Sequence, residues 1–600
     1  MQTSPPPEPV ALPRSKALVF GAIAIALPLF ALLLVEGALR LAGAAEARRA
    51  PFQPAPDHPE AVVLSPDFGA QFFRGFRPGV AFDPLLVGKP AGGLRVVALG
   101  GSTTASFPYT FPYGFPARLE DRLAAMLPGQ PVEVANLGMT ATNSYTLWAL
   151  AEPVAELRPD AVVIYSGQNE FYGAYGTGGT QGWTGTSIPL KRFLIRAGQW
   201  STVAGLSGLL GRGEDDAGES RTMMARVVRE AAIDRDSETY RAGIAQYEAN
   251  LRDALQTFTE AGIPVFLSTL TSNLADQPPL GDEPEATEAY ERGRRLLAAG
   301  DTAAARAAFL DAKEADGLRF RAPEALNDVV RRLADAFPNV TLVDAQARFR
   351  DAGGGLEDAT LFADHLHPNA RGYALLADAF ADALRQTLPA LGEAEDPGPA
   401  PSAIDPVEEG VARLQLTVLT SGYPFRKDRT PEQAADAARA EAQRMRAAGG
   451  ADALAARVAL DDLPIMNALD LAGQQARAEG DTLAALRLYG GLLHWQPFNE
   501  SLMAQAVSYA LANPAYDDET AILGRYATTH ARDAFSYNAL AAVALRRGDL
   551  DGADALLDAA ERVAPDSPEM LFNRARLLVL RGDTARARVY FGRYQAAAGQ

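Results

Sequence analysis

From Arg95 onward the chain alternates short apolar runs with longer amphipathic stretches. Arg95–Leu99 (RVVAL), Val132–Asn136 (VEVAN), Ala161–Ser166 (AVVIYS), Ile263–Thr269 (IPVFLST) and Val340–Asp344 (VTLVD) predict strands. Pro116–Met126, Ser144–Leu157, Ser237–Ala261 and Pro323–Ala336 predict helices between them. Strands that alternate with helices and are apolar on both sides predict a parallel sheet covered on both faces. An α/β domain is expected over residues 94–391. In such sheets the reacting groups lie just past the carboxyl ends of the strands.

The two ends of the chain follow other patterns. After a Pro-rich tail (residues 1–16), Ala17–Val35 carries no charge, which predicts a membrane anchor over residues 17–43. Glu36 and Arg40 separate this run from Ala42-Gly-Ala44, so an uncleaved anchor is expected rather than a signal peptide. Arg14 and Lys16 on one side stand against Arg40, Arg48 and Arg49 on the other, so the positive-inside count leaves orientation open. A short tail before a large domain suits a cytoplasmic tail, with the bulk of the chain extracytoplasmic, in the periplasm. Residues 44–93 read as a lead-in, and the acidic, Pro-rich residues 392–406 as a linker.

Over residues 407–600 the period is helical and repeating. Gly480-Asp481, Gly548-Asp549 and Gly582-Asp583 each precede an alanine (Ala485, Ala553, Ala587) at one offset, with spacings of 68 and 34 residues. Asn513-Pro514 falls at the intervening register. A period of 34 resembles the tetratricopeptide (TPR) repeat, whose stacked helix pairs bury faces that one pair cannot. Tyr290, Gly293, Gly300-Asp301, Ala305, Phe309 and Ala312 mark one similar hairpin inserted in the α/β domain at about residues 285–315. The repeat surface is expected to receive a protein partner, or else to serve as a rigid spacer.

Composition removes several chemistries. With 56 basic and 74 acidic residues the net charge is −18, a surface that repels nucleic acid. The absence of cysteine excludes thiol nucleophiles, disulfides, Cys-ligated zinc and iron–sulfur clusters. A histidine base must come from His58, His365, His367, His494 or His530. No metal site and no cofactor is expected.

Four polar blocks lie at the expected rim: Gly100-Gly101-Ser102-Thr103-Thr104, Asn136-Leu137-Gly138-Met139, Gly167-Gln168-Asn169-Glu170 and Asp364-His365-Leu366-His367-Pro368. A serine hydroxyl needs a base, and His367 suits that role with Asp364 to orient its ring. A developing oxyanion needs preorganised donors, for which the Ser102 and Gly138 N–H groups and the Asn169 side chain are the candidates. His365, two residues away, competes with His367 for that role.

These blocks, in this order, resemble the SGNH or GDSL-like hydrolase family. The resemblance implies a flavodoxin-like sheet, Ser102 as nucleophile, Asp364 and His367 completing a triad, and Gly138 and Asn169 in the oxyanion hole; its spacing, with Pro368, favours His367 and leaves His365 to support the triad or lie at the surface. Gly-Gly-Ser stands where Gly-Asp-Ser is commoner, and Glu170 where Asp is usual. The expected activity is a serine esterase or deacylase on an O-acylated glycan or a small ester. The alternatives are O-acyl transfer to a polysaccharide and a non-catalytic TPR scaffold. Asn273, Arg319 and Arg321 are candidate substrate contacts, a solvated helix end being the other reading of the arginines. The aromatic segments 107–115 and 172–207, the latter with Trp183 and Trp200, read as pocket wall or lid, or as ordinary packing.

Overall fold

The computed structural model describes residues 14–42, 50–55, 58–73, 78–127, 130–180, 187–198, 228–396, 398–399, 403–497, 499–512, 523 and 533–598. The sequence readings at Arg48, Arg49, Trp183, Trp200, Asn513-Pro514 and His530 lie outside the described residues, as does most of Ala42-Gly-Ala44.

The expected lead-in is structured. An antiparallel sheet, β1 (Phe52–Ala55), β2 (His58–Leu64) and β3 (Leu85–Leu86), precedes the main sheet. Leu64, Phe68, Phe72 and Leu85 from this segment join the α/β core. Five parallel strands follow: β4 (Leu94–Gly100), β5 (Val132–Asn136), β6 (Ala161–Tyr165), β7 (Val265–Ser268) and β8 (Val340–Val343), in the order β5-β4-β6-β7-β8. This is the flavodoxin-like order, with its switch point at β4, where Ser102 follows. Helices Ser144–Glu156, Glu238–Glu260 and Glu324–Ala336 pack together, and Phe115–Met126 packs against Ala370–Thr387.

The lone charges within the first two runs answer each other. Arg95 on β4 and Glu133 on β5 form a buried ion pair at 2.7 Å. The Arg95 guanidinium also donates to the Leu86 carbonyl, and the Leu86 N–H donates to Glu133. A buried pair is kept in low dielectric only with such extra hydrogen bonds, and here they sew β3 to the main sheet.

The insertion is a helical hairpin, Pro284–Ala298 and Thr302–Ala315. Beyond the α/β unit the described residues are mainly helical, with pairs Ile465–Glu479/Thr482–Trp495, Ala534–Arg547/Leu550–Val563 and Pro568–Leu580/Thr584–Ala598. The repeated Gly-Asp has a local cause. Gly300, Gly480, Gly548 and Gly582 end or follow their helices at φ of 83°, 79°, 85° and 81°, a region where a side chain is strained. The following Asp301, Asp481, Asp549 and Asp583 then accept a backbone N–H of the next helix's first turn. Ala485 and Ala553 are fully buried where the paired helices meet. Helices Pro406–Thr420, Pro431–Ala448 and Gly450–Leu460 enclose Val411, Leu414, Met445 and Ala455, and Val407 joins Ala468 and Leu469 in the repeat core.

The stretch read as a linker is tied down where described: Asp396 pairs with Arg122, and Asp405 caps helix Pro406–Thr420. At the other end, Arg14–Leu41 is one helix, and its Ala22–Leu39 window has a mean hydropathy of 2.3 and is 6% buried. By length and composition it suits a membrane span, and equally a signal sequence.

Candidate active site

At the carboxyl end of β4 the chain turns sharply, the Ala105 N–H donating to Gly101 O and the Phe107 N–H to Ser102 O. The Ser102 hydroxyl is left half-buried, with Oγ 2.7 Å from His367 Nε2. His367 Nδ1 lies 2.6 Å from Asp364 Oδ2. The three-residue spacing has a local reason. Asp364 Oδ1 accepts the N–H groups of Leu366 (2.9 Å) and His367 (2.7 Å), so one carboxylate both closes the turn and holds the ring. A serine–imidazole–carboxylate relay of this kind can take up and return a proton.

Electrostatics fit that arrangement. Burial alone raises the Asp364 carboxyl, but the His367 and His365 imidazoles outweigh it and hold it well below its usual range. His365 is not at the surface: its Nδ1 lies 3.3 Å from Asp364 Oδ1, beside the relay. It is 2% exposed, lines the pocket beside Ser102, and burial lowers its affinity for a proton. Donor atoms of Asp364, His365 and His367 converge within 4.8 Å, the spacing of a metal set. The carboxylate is already taken by two N–H groups and an imidazole, and His367 Nε2 by the serine, so the cluster fits a proton relay better than a metal.

The oxyanion assignment needs one correction. The Gly138 N–H donates to Asn136 Oδ1 at 2.9 Å and is not available to a substrate. Gly138 instead packs behind the serine turn, where a Cβ would meet Ala105 N at 2.2 Å. The Met139 and Thr140 N–H groups are taken by Gly100 O and Gly79 O. Ala141, next in the turn, has φ 58° and lines the pocket, and among the described residues its N–H has no acceptor. Nothing in the sequence marks this alanine except its place on a turn at the rim. Asn169 also lines the pocket, and its Nδ2 donates to Thr142 O at 3.2 Å. Its neighbour Glu170 is buried, accepts from Ser144 N, Ser144 Oγ and Gln246 Nε2, and is pushed up to about 7 by burial against those bonds.

The three candidate substrate contacts are structural. Asn273 donates from its backbone to His365 O and from Nδ2 to Asp364 O, which fastens the Asp-x-x-His turn. Arg319 and Arg321 are buried rather than solvated. Arg319 donates to Ile233 O and Glu314 O, and Arg321 to Asn273 O and Gln277 O with an ion pair to Asp316. Phe320, between them, lines the pocket instead. That pocket is a small cavity of about 70 Å³, with Phe107, Ala141, Tyr172, Phe320 and Leu366 around the reactive groups. Its last wall, missed in the sequence, is Leu419 of the helical region. The aromatic segment after Ser102 divides its tasks: Phe107 faces the pocket, while Phe111 packs on Trp495 at 4.7 Å between ring centroids.

Residues 98–375 match the family model of GDSL-like lipases and acylhydrolases. No curated protein sequence matches the chain. Among solved structures it is similar to an acetyl xylan esterase, at 16% identity over 48% of this chain and 100% of that one, with a TM-score of 0.27. An acetylxylan esterase of Geobacillus stearothermophilus, solved as a catalytic mutant, is 19% identical over 50% and 96%, with a TM-score of 0.26. A GDSL-like lipase of Bacteroides thetaiotaomicron is 13% identical over 49% and 89%, also with a TM-score of 0.26. The α/β domain of this chain matches the GDSL-like lipase/acylhydrolase family over residues 98–375, and that match supports a serine ester hydrolase of the SGNH type.

Proposed function

We propose that the chain is a membrane-anchored, extracytoplasmic esterase that removes a short acyl group from an O-acylated carbohydrate or a small ester. The observation that carries this reading is the unbroken line from Ser102 Oγ through His367 to Asp364, opening on a small cavity. In the proposed reaction Ser102 Oγ attacks the carbonyl carbon as His367 Nε2 takes its proton. The oxyanion is met by the N–H groups of Ser102 and Ala141 and by the Asn169 amide. The ester C–O bond breaks, and His367 returns the proton to the leaving alkoxide. Water then attacks the acyl-enzyme with His367 again as base, releasing the acid and freeing Ser102. Asp364 keeps the imidazole in the required tautomer and stabilises its cation.

The location rests on helix Arg14–Leu41, which suits an anchor with the folded chain on one side of the membrane. The Gly-Asp hairpins support a TPR-like repeat surface for a protein partner. A fluorophosphonate probe tests the chemistry. Labelling of the parent that disappears in Ser102→Ala is expected; labelling that persists there, or never occurs, overturns the serine-enzyme assignment. A reporter fused after residue 600 tests the topology.

A further inference from the structure

We infer that the C-terminal helical region is part of the active site: Leu419 closes the acyl pocket and limits the acyl group to short chains. This rests on the esterase reading above. Helix Pro406–Thr420 is fastened at both ends beside the pocket. At its start the Tyr113 hydroxyl donates to Asp405 and the Thr110 hydroxyl to Glu408, which binds the helix to the loop that leaves Ser102. A Cβ on Gly491 would meet the Tyr113 hydroxyl at 2.8 Å, so the repeat helices also press on that loop.

In its last turn Leu419, and past its end Tyr423 and Phe425, pack on the cluster that holds Tyr172 and Phe320. The Phe425 ring lies 5.2 Å from that of His365, and Lys427 pairs with Asp282 at 2.7 Å. Between these anchorages Leu419 lines the cavity that Ser102, Asn169 and His367 also line. A cavity of about 70 Å³ holds only a few water-sized groups, since one water needs about 10–15 Å³ of such volume. An acetyl group is within that volume, and Leu419 is the wall residue of the helical region that a longer acyl chain would meet.

The test is a series of p-nitrophenyl acetate, butyrate and hexanoate assayed on the full chain. Leu419→Ala is expected to raise the butyrate-to-acetate ratio of kcat/KM by about tenfold or more, the usual worth of a methylene or two in an apolar pocket. Leu419→Phe is expected to lower that ratio below the parent's. Val418→Ala, at an exposed neighbour, is expected to leave it unchanged. An unmoved ratio in both Leu419 variants, with fluorophosphonate labelling retained, overturns this inference and leaves the esterase reading standing. An equal change in Val418→Ala also overturns it. A parent chain that neither hydrolyses acetate nor labels at Ser102 overturns both. If Leu419→Ala fails to fold, Leu419→Phe alone decides by the direction of its ratio.

Discussion

The hydroxyl of Thr110, on the loop that leaves Ser102, donates to the carboxylate of Glu408 at the start of the helical region. Glu408 is fully buried, and burial, with Asp405 beside it, pushes its carboxyl up to about 8 from an ordinary 4.5. Asp405 is raised for the same reason, and Tyr113 and Thr110 are the groups facing the pair. A carboxyl raised on folding contributes stability that is complete below its unfolded value and is lost as pH rises through its folded one. The docking of the helical region should therefore be firmest below about pH 4.5 and weaken up to about pH 8. Melting of the full chain across that window should show the decline, and Glu408→Gln should flatten it. An unchanged slope in the variant would refute the assignment.

The two histidines of the fourth block should separate cleanly. Asp364→Asn should lower kcat by about 10⁴-fold and His367→Gln by about 10⁶-fold with the fold intact, the scale of losing the orienting acid and the base of such a triad. His365→Gln should lower kcat far less than His367→Gln, because its ring reaches Asp364 and the pocket but does not bond the serine hydroxyl. Steady-state kinetics with p-nitrophenyl acetate read both. A kcat loss in His365→Gln as large as that in His367→Gln would contradict the relay.

Gly138 and Ala141 should respond in opposite ways. Gly138→Ala forces a Cβ into the serine turn and should destabilise the α/β domain by about 1–3 kcal/mol or more. Ala141→Gly relieves a left-handed residue and should stabilise by about 1 kcal/mol while keeping its N–H in place. Asn169→Ala should lower kcat about 10²–10³-fold, the scale of a lost oxyanion donor. Denaturant melts beside initial rates distinguish the three.

The repeat caps can be tested away from the active site. Gly548→Ala should cost about 1 kcal/mol because its φ of 85° strains any side chain. Asp549→Ala should cost about 1 kcal/mol through loss of the helix cap. Hydrogen exchange in helices Ala534–Arg547 and Leu550–Val563 should accelerate in both variants, and unchanged exchange would count against the capping account.

Breaking the Arg95–Glu133 pair should be harsher than either. Arg95→Met leaves Glu133 buried without its cation, which costs about 3–5 kcal/mol in comparable pairs. The double variant Arg95→Met/Glu133→Gln should recover part of that loss in chemical denaturation; no recovery would show that the charges do not act as a pair.

What could be read directly from residues was local. The five apolar runs became the parallel sheet because strands buried on both faces carry that pattern regardless of what surrounds them. Asp364 and His367 could be paired by spacing, since one turn brings them together. The Gly-Asp period was legible because a left-handed cap and the next helix's first residue are both set by neighbours in the chain.

Tertiary structure decided the rest. Which N–H of the turn after β5 faces the pocket depends on which others are taken by Gly100, Gly79 and Asn136, so the choice of Ala141 over Gly138 was not written in the motif. Arg319 and Arg321 resemble solvated residues in sequence, yet carbonyls and a carboxylate brought to them by folding make them buried braces. Leu419 looks like any core leucine of a helix. Only the docking of that helix against the serine loop, through Thr110–Glu408 and Tyr113–Asp405, makes it a wall of the pocket, because that contact joins residues the chain holds far apart.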